Sequence, residues 1–134
     1  MKSFLVLLII SVSSAIEFNS ETHKKWEKIV EPHVEECMKE TNVDSDVVGV
    51  FHQQFYFSNN KNFQCYMKCI AEKLHFIDAH GKINVDALKD SDDKEATEVA
   101  EVCSKSTTKT DPCEIAFEFA MCFMGKLTEL HRKQ

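Results

Sequence analysis

The strongest constraint on this chain of 134 residues comes from its six cysteines, which are Cys37, Cys65, Cys69, Cys103, Cys113 and Cys122. The intervals between successive cysteines are 27, 3, 33, 9 and 8 residues. An even number of cysteines in a short exported protein is typical of a disulfide framework. Such a framework restricts the fold before any helix is assigned, although the spacing alone identifies neither a ligand nor a reaction.

The first residues of the chain are typical of a secretory signal peptide. Lys2 supplies a positive charge, residues 4–10 form an apolar run, and the small residues Ser13 and Ala15 precede a predicted cleavage site. The run is far shorter than the ~20 residues that span a bilayer, so we expect no stable membrane insertion. A buried N-terminal helix is the alternative. The sequence predicts a signal peptide over residues 1–15 and one secreted, extracellular domain over residues 16–134.

The charge and composition of the predicted domain exclude several classes of protein. Cleavage removes one lysine and no acidic residue, so the formal charge changes from −6 to −7. An acidic chain is a poor partner for nucleic acid or for an anionic membrane surface. Only three glycines and two prolines are present, which leaves few positions for the tight turns of an all-β fold.

Apolar residues recur at helical spacing and predict six helices. These begin near residue 21, at Asp44 or Ser45, at residue 61, after Asn84, at Ser91 and after Asp111. The third helix is predicted over residues 61–77, with Gly81 at its C-terminal end. Residues 115–124 are apolar on nearly every side, which predicts a last helix buried all round. The twelve residues after Cys122 are too few for another long helix, so we expect them to be available as a lid.

Helix geometry removes two of the possible disulfides. Cys65 and Cys69 are one helical turn apart, so their Cβ atoms would be ~5–6 Å apart, whereas a disulfide requires ~3.5–4.5 Å. Cys113 and Cys122 would be ~13.5 Å apart along one helix. About 10 of the ~15 pairings remain open. Half of a zinc site is the alternative role of the central cysteines, but export favours oxidation over metal binding.

The segments around the cysteines carry a more specific pattern. FQCYMKCIAEK surrounds the second and third cysteines, HGKINVDAL follows them, and AMCF contains the sixth. Together with the complete array, these segments resemble the six-cysteine group of insect odorant-binding proteins, the pheromone and general odorant-binding family. The resemblance implies an all-α, six-helix domain around an internal hydrophobic pocket. It also implies three disulfides, which are Cys37–Cys69, Cys65–Cys113 and Cys103–Cys122.

The resemblance further implies a function in transport and olfaction. The expected ligand is a small hydrophobic molecule of odorant, pheromone or fatty-acid type, and a chemoreceptor or a second copy of the chain are further candidate partners. Carried over by position relative to the cysteines, the implied ligand-binding residues are Val30, Phe55, Met67, Ala71, Phe76, Ala100, Phe119 and Phe123. Plain core packing is the alternative for each of them. Candidate polar anchors for a ligand are Tyr66, Thr128 and His131.

Two other functions stay open from the sequence. One is a non-olfactory carrier of hydrophobic molecules in saliva, seminal fluid or venom, and the other is a secreted interaction domain with a solid core. The six histidines are scattered, which favours solvated side chains over a pH switch. The sequence lacks a nucleophile elbow, a calcium-loop spacing and a glycine-rich phosphate loop. We therefore expect no catalysis, no metal and no cofactor.

Overall fold

The computed structural model describes residues 24–89 and 94–132, and nearly all of the regular structure in these ranges is helical. The helices are α1 (residues 24–41), α2 (Ser45–Gln54), α3 (Lys61–Lys73), α4 (Val85–Lys89), α5 (Lys94–Ser106) and α6 (Pro112–Arg132). The prediction of a six-helix, all-α fold is confirmed. The predicted signal peptide and the predicted starts of the first and fifth helices lie outside the described residues.

Two compact units divide the chain between Pro32 and His33, inside α1. The described part of the first unit, residues 24–32, is helical and contains the buried Val30 and the half-exposed Ile29. The second unit contains the rest of α1 and helices α2 to α6.

Side-chain caps explain where three of the helices begin. The Asp44 carboxylate accepts a hydrogen bond from the backbone N–H of Asp46, and the Asn60 side chain does the same for the first turn of α3. At the start of α6, Asp111 Oδ2 accepts from the backbone N–H of Glu114 at 3.1 Å. These bonds satisfy N–H groups that lack partners within the helix. The starts predicted at Asp44 and Asp111 are confirmed.

The end of α3 differs from its prediction. The helix ends at Lys73 rather than at residue 77, because His75 takes a left-handed conformation with φ 64°. Beyond it, Ile77 and Ile83 form an isolated antiparallel bridge. Gly81, with φ 88°, turns the chain inside this loop and does not end the helix. The predicted role of Gly81 as the end of α3 is therefore wrong.

Helix α6 is longer and less buried than its sequence predicts. It continues to Arg132, so the residues after Cys122 extend the helix instead of forming a separate lid. Ala116, Phe119 and Phe123 are buried, whereas Met121 is 47% exposed. The helix packs against α3 and α5, which leaves one strip of its surface open to solvent. The prediction that it is buried all round is wrong.

Three disulfides brace the second unit around α3 and α6. They are Cys37–Cys69, Cys65–Cys113 and Cys103–Cys122, with Cα–Cα distances of 5.6, 4.5 and 5.7 Å. These are the pairs that the resemblance implies. The first bond joins α1 to α3, the second joins α3 to α6, and the third joins α5 to α6. Because every bond includes α3 or α6, these two helices form the braced centre of the unit.

Candidate functional site

The candidate site is the buried apolar surface of α6 and of the two helices that pack on it, α3 and α5. We call this surface the inner face, and its residues are Met67, Ile70, Val99, Ala100, Ala116, Phe119 and Phe123. On α3 and α6 these residues are three or four positions apart, which places them on one side of each helix, and on α5 the two residues are adjacent. The Phe119 and Phe123 rings are stacked almost parallel, with centroids 5.8 Å apart and an interplanar angle of 13°. The inner face therefore presents an aromatic wall on α6.

The structure distributes the predicted ligand-binding residues over several environments. Four of them, Met67, Ala100, Phe119 and Phe123, belong to the inner face. Ala71 is half-buried one turn after Met67 on α3, and Phe76 is half-buried in the loop beyond that helix. Val30 is buried in the first unit. The direct ring contact between Phe119 and Phe123 joins two of the predicted residues.

Phe55 lies in a different environment, at the end of α2. Its ring packs edge-on against Phe51, with centroids 6.0 Å apart, and its backbone is left-handed with φ 53°. The predicted role of Phe55 as a lid or end wall stays a prediction.

An aromatic cluster that the sequence analysis did not identify joins α2 to the braced helices. Its members are Phe51, Phe57, Phe63 and Phe117, with centroid distances of 5.1 to 6.4 Å in edge-on arrangements. Each edge-on pair contributes about 0.5–1.5 kcal/mol beyond its buried area. The sequence signals for this cluster are the aromatic run of residues 55–57 and the apolar helical positions of Phe51 and Phe63. On α6, Phe117 belongs to this cluster, whereas Phe119 and Phe123 belong to the inner face.

The candidate polar anchors are engaged by groups of the protein itself. The Tyr66 side chain is fully buried, and its hydroxyl shares a 3.0 Å hydrogen bond with Nε2 of His52 on α2. Burial raises the pKa of Tyr66, so its hydroxyl stays protonated at neutral pH. The Thr128 hydroxyl donates to the Met124 carbonyl at 2.8 Å on an exposed part of α6. The side chain of His131 lies outside the described part of the chain.

The ion pairs around α3 lie at the surface rather than on the inner face. Lys73 Nζ donates to Glu36 Oε1 at 2.9 Å, and this hydrogen bond lowers the pKa of Glu36. Lys61 Nζ donates to Asp111 Oδ2 at 2.6 Å, which lowers the pKa of Asp111. The first pair connects α3 to α1, and the second connects α3 to the residue that caps α6. Because the four side chains are partly or largely exposed, water screens their attraction.

A depression opens on the surface beside α4. Its volume is about 460 Å³, and its lining residues are Asp78, Lys82, Ile83, Asn84, Val85 and Asp86. None of these is a predicted ligand-binding residue. Within residues 24–89 and 94–132, no group of three or more His, Cys, Asp or Glu side chains is arranged to hold a metal ion. Among the described helices, none is both long and apolar enough to cross a membrane.

Comparison with known proteins identifies relatives along most of the chain. The model of the PBP/GOBP family matches residues 19–126. General odorant-binding protein 99a of Drosophila melanogaster is 29% identical over 98 residues, which are 67% of this chain and 68% of that protein. Odorant-binding protein 22 of Aedes aegypti is 28% identical over 131 residues, which are 92% of this chain and 89% of that protein.

Solved structures show the same fold. Odorant-binding protein dmelOBP28a from Drosophila melanogaster has a TM-score of 0.65 and 19% identity, over 81% of this chain and 97% of that chain. Odorant-binding protein 7 from Anopheles gambiae, in complex with an azo compound, has a TM-score of 0.63 and 24% identity, over 81% of this chain and 90% of that chain.

Proposed function

Because the chain belongs to the PBP/GOBP family, we propose that it is a secreted, non-catalytic carrier of small hydrophobic molecules. The ligand would be held against the inner face, with its carbon skeleton between α3, α5 and α6. The observation that carries the proposal is an apolar surface on three helices that two disulfides, Cys65–Cys113 and Cys103–Cys122, tie together. These disulfides would keep the three helices in their arrangement when a ligand binds.

Binding would derive its free energy from the removal of ligand carbon from water. Each square ångström of apolar surface that is buried contributes ~25 cal/mol before the loss of the ligand's freedom is subtracted. The side chains of the inner face suit this role, because Met67 is flexible and polarisable, and the stacked Phe119 and Phe123 offer flat surfaces. Such walls can adapt to ligands of different shape.

Displacement of a fluorescent apolar probe tests the proposal. Long-chain esters and alcohols are expected to displace the probe from the purified protein saturably and with a stoichiometry of one. In Phe119→Trp, the added bulk on the inner face is expected to weaken probe binding at least tenfold. Phe117→Trp is the matched control, because it adds the same bulk on the aromatic cluster of the same helix.

Two outcomes contradict the proposal. A complete lack of saturable displacement would support an interaction domain with a solid core. Equal weakening by Phe119→Trp and Phe117→Trp, with both variants folded by circular dichroism, would place the ligand away from the inner face. Expression in antennae rather than in another secretory tissue would separate an olfactory carrier from a carrier in saliva, seminal fluid or venom.

A further inference from the structure

The side chains of the inner face are apolar throughout. Its seven residues are two phenylalanines, two alanines, a valine, an isoleucine and a methionine, and each is at most 8% exposed. Ala71, which follows Met67 by one turn on α3, extends this surface with another methyl group. A ligand that lies on the inner face meets hydrocarbon and one thioether.

The polar side chains near these helices are bonded to other groups of the chain. Tyr66 shares its hydrogen bond with His52 at 3.0 Å, and the buried Gln64 donates from Nε2 to Asn59 Oδ1 at 3.2 Å. On α5, the Ser104 hydroxyl donates to the Glu101 carbonyl at 2.8 Å. In the described part of the chain, every buried side-chain nitrogen and oxygen atom has a hydrogen-bond partner. A polar ligand group would therefore compete with bonds that already exist.

The lysines of α3 are also engaged, each with a carboxylate of the chain. Lys61 pairs with Asp111, Lys73 pairs with Glu36, and Lys68 pairs with Glu72 one turn further along α3. Drawing one of these ammonium groups inward would break its pair and remove it from water. The lysines of α5 and α6, which are Lys94, Lys105 and Lys126, have exposed side chains. A carboxylate on the inner face would consequently be buried without a counter-ion, which is strongly unfavourable.

From these observations we infer that the protein selects uncharged hydrophobic ligands over carboxylates with the same carbon skeleton. The inference rests on the proposed carrier function and narrows its ligand class. Esters, hydrocarbons and aromatic compounds fit the inner face directly. A fatty acid fits only after it takes up a proton, so its apparent affinity falls about tenfold for each pH unit above its own pKa.

A matched pair of ligands tests the inference without any substitution. Methyl dodecanoate and dodecanoate have the same carbon chain, but only dodecanoate is charged. Each compound is used to displace the fluorescent probe at pH 8 and at pH 5. At pH 8 the ester is expected to bind at least 100-fold more tightly than the acid. Lowering the pH is expected to strengthen binding of the acid and to leave binding of the ester unchanged.

The outcomes separate this inference from the carrier function itself. Equal affinities for the ester and the acid at pH 8 would overturn the inference and leave the carrier function standing. If neither compound displaces the probe saturably, the carrier function fails and the inference fails with it.

A pair of lysine substitutions adds an independent check. Ala71→Lys supplies a cation beside the inner face and is expected to reduce the preference for the ester at least tenfold. Met121→Lys adds the same charge on the exposed strip of α6 and is expected to leave the preference unchanged. An equal effect of the two substitutions would show that net charge, rather than a missing counter-ion, determines the selectivity, and would contradict the inference.

Discussion

Two glycines of this fold should respond in opposite directions to replacement by alanine. Gly81 lies in the loop between α3 and α4 with φ 88°, a conformation that side chains with a Cβ atom rarely adopt. A Cβ atom at this position would lie 3.0 Å from Ile115 Cδ1 and 3.1 Å from Pro112 Cα. Gly125 lies within α6, and a Cβ atom there would meet nothing within 4 Å.

The magnitudes follow from these surroundings. At Gly81, the left-handed backbone costs an alanine roughly 1–2 kcal/mol and the overlap costs roughly 1–3 kcal/mol. The Ile115 terminus can move aside, but the Pro112 backbone cannot, so part of the overlap remains. After subtracting the ~0.5–1 kcal/mol that alanine gains by restricting the unfolded chain, Gly81→Ala should lower the free energy of unfolding by roughly 1–4 kcal/mol. Gly125→Ala should raise it by roughly 0.5–1 kcal/mol.

Urea denaturation of the oxidised protein, followed by circular dichroism at 222 nm, measures both effects in one assay. The midpoint is expected to fall for Gly81→Ala and to rise for Gly125→Ala, with unchanged slopes. An unchanged or higher midpoint for Gly81→Ala would refute the close approach of this loop to the start of α6. A lower midpoint for Gly125→Ala would show that another surface packs closely against the exposed side of α6.

Three further predictions concern the frame of the second unit. Replacing Cys65 and Cys113 together by alanine should lower the free energy of unfolding by about 4 kcal/mol in urea denaturation, because their bond closes a loop with a sequence separation of 48; a loss under 1 kcal/mol would contradict this. His75 is exposed and has a left-handed backbone, which glycine adopts without steric cost. His75→Gly should therefore stabilise the fold by about 0.5–1 kcal/mol and raise the thermal midpoint. A lower midpoint would show that the imidazole makes a stabilising contact. The hydrogen bond from Lys61 holds the pKa of Asp111 below 3.8. Asp111→Asn keeps the cap but removes the charge that pairs with Lys61. A carboxyl with a lowered pKa stabilises the fold above its unfolded pKa, so the loss of stability in this variant should be complete at pH 6 and should disappear as the pH falls through and below 3.8. Urea midpoints measured over a series of pH values check this. A loss of stability that persists at pH 2 would point to the cap instead.

The parts of the fold that sequence predicts well have local physical causes. Asp111 followed by Pro112 starts a helix for two reasons. The carboxylate can accept hydrogen bonds from free backbone N–H groups, and proline has no backbone N–H that would be left without a partner. The same reasoning places the start of α2 at Asp44. Apolar spacing predicts the third and fifth helices and requires no knowledge of their neighbours.

The errors occur at the end of α3 and on one side of α6. His75 ends α3 in a left-handed conformation, which is uncommon for residues other than glycine, and the antiparallel bridge of Ile77 with Ile83 follows directly. The apolar surface of α6 predicted burial all round, but α3 and α5 do not cover Met121. The exposure of Met121 depends on which helices pack on α6, so no local pattern reveals it.

Part of the candidate site follows from the family resemblance. The resemblance implies Met67, Ala100, Phe119 and Phe123 by their positions relative to the cysteines, and all four are buried in the structure. The hydrogen bond between Tyr66 and His52 could not be foreseen, since it joins two helices across 14 residues of sequence. Whether the selected residues bind a ligand stays a prediction, for which the displacement experiments are designed.

In the proposed carrier, the arrangement of aromatic residues on α6 would separate stability from binding. Phe117 belongs to the aromatic cluster, which joins α6 to α2 and α3 through closely packed edge-on rings, whereas Phe119 and Phe123 belong to the inner face. The cluster and the disulfides can hold the helices in place, so the inner face does not have to supply that cohesion itself. Truncation of Phe117 to leucine should therefore lower the unfolding midpoint with little effect on ligand affinity. Truncation of Phe123 to leucine should alter affinity and selectivity at a smaller cost in stability. If both substitutions changed stability and affinity in the same ratio, the two sides of α6 would form a single packed core and the division proposed here would be wrong.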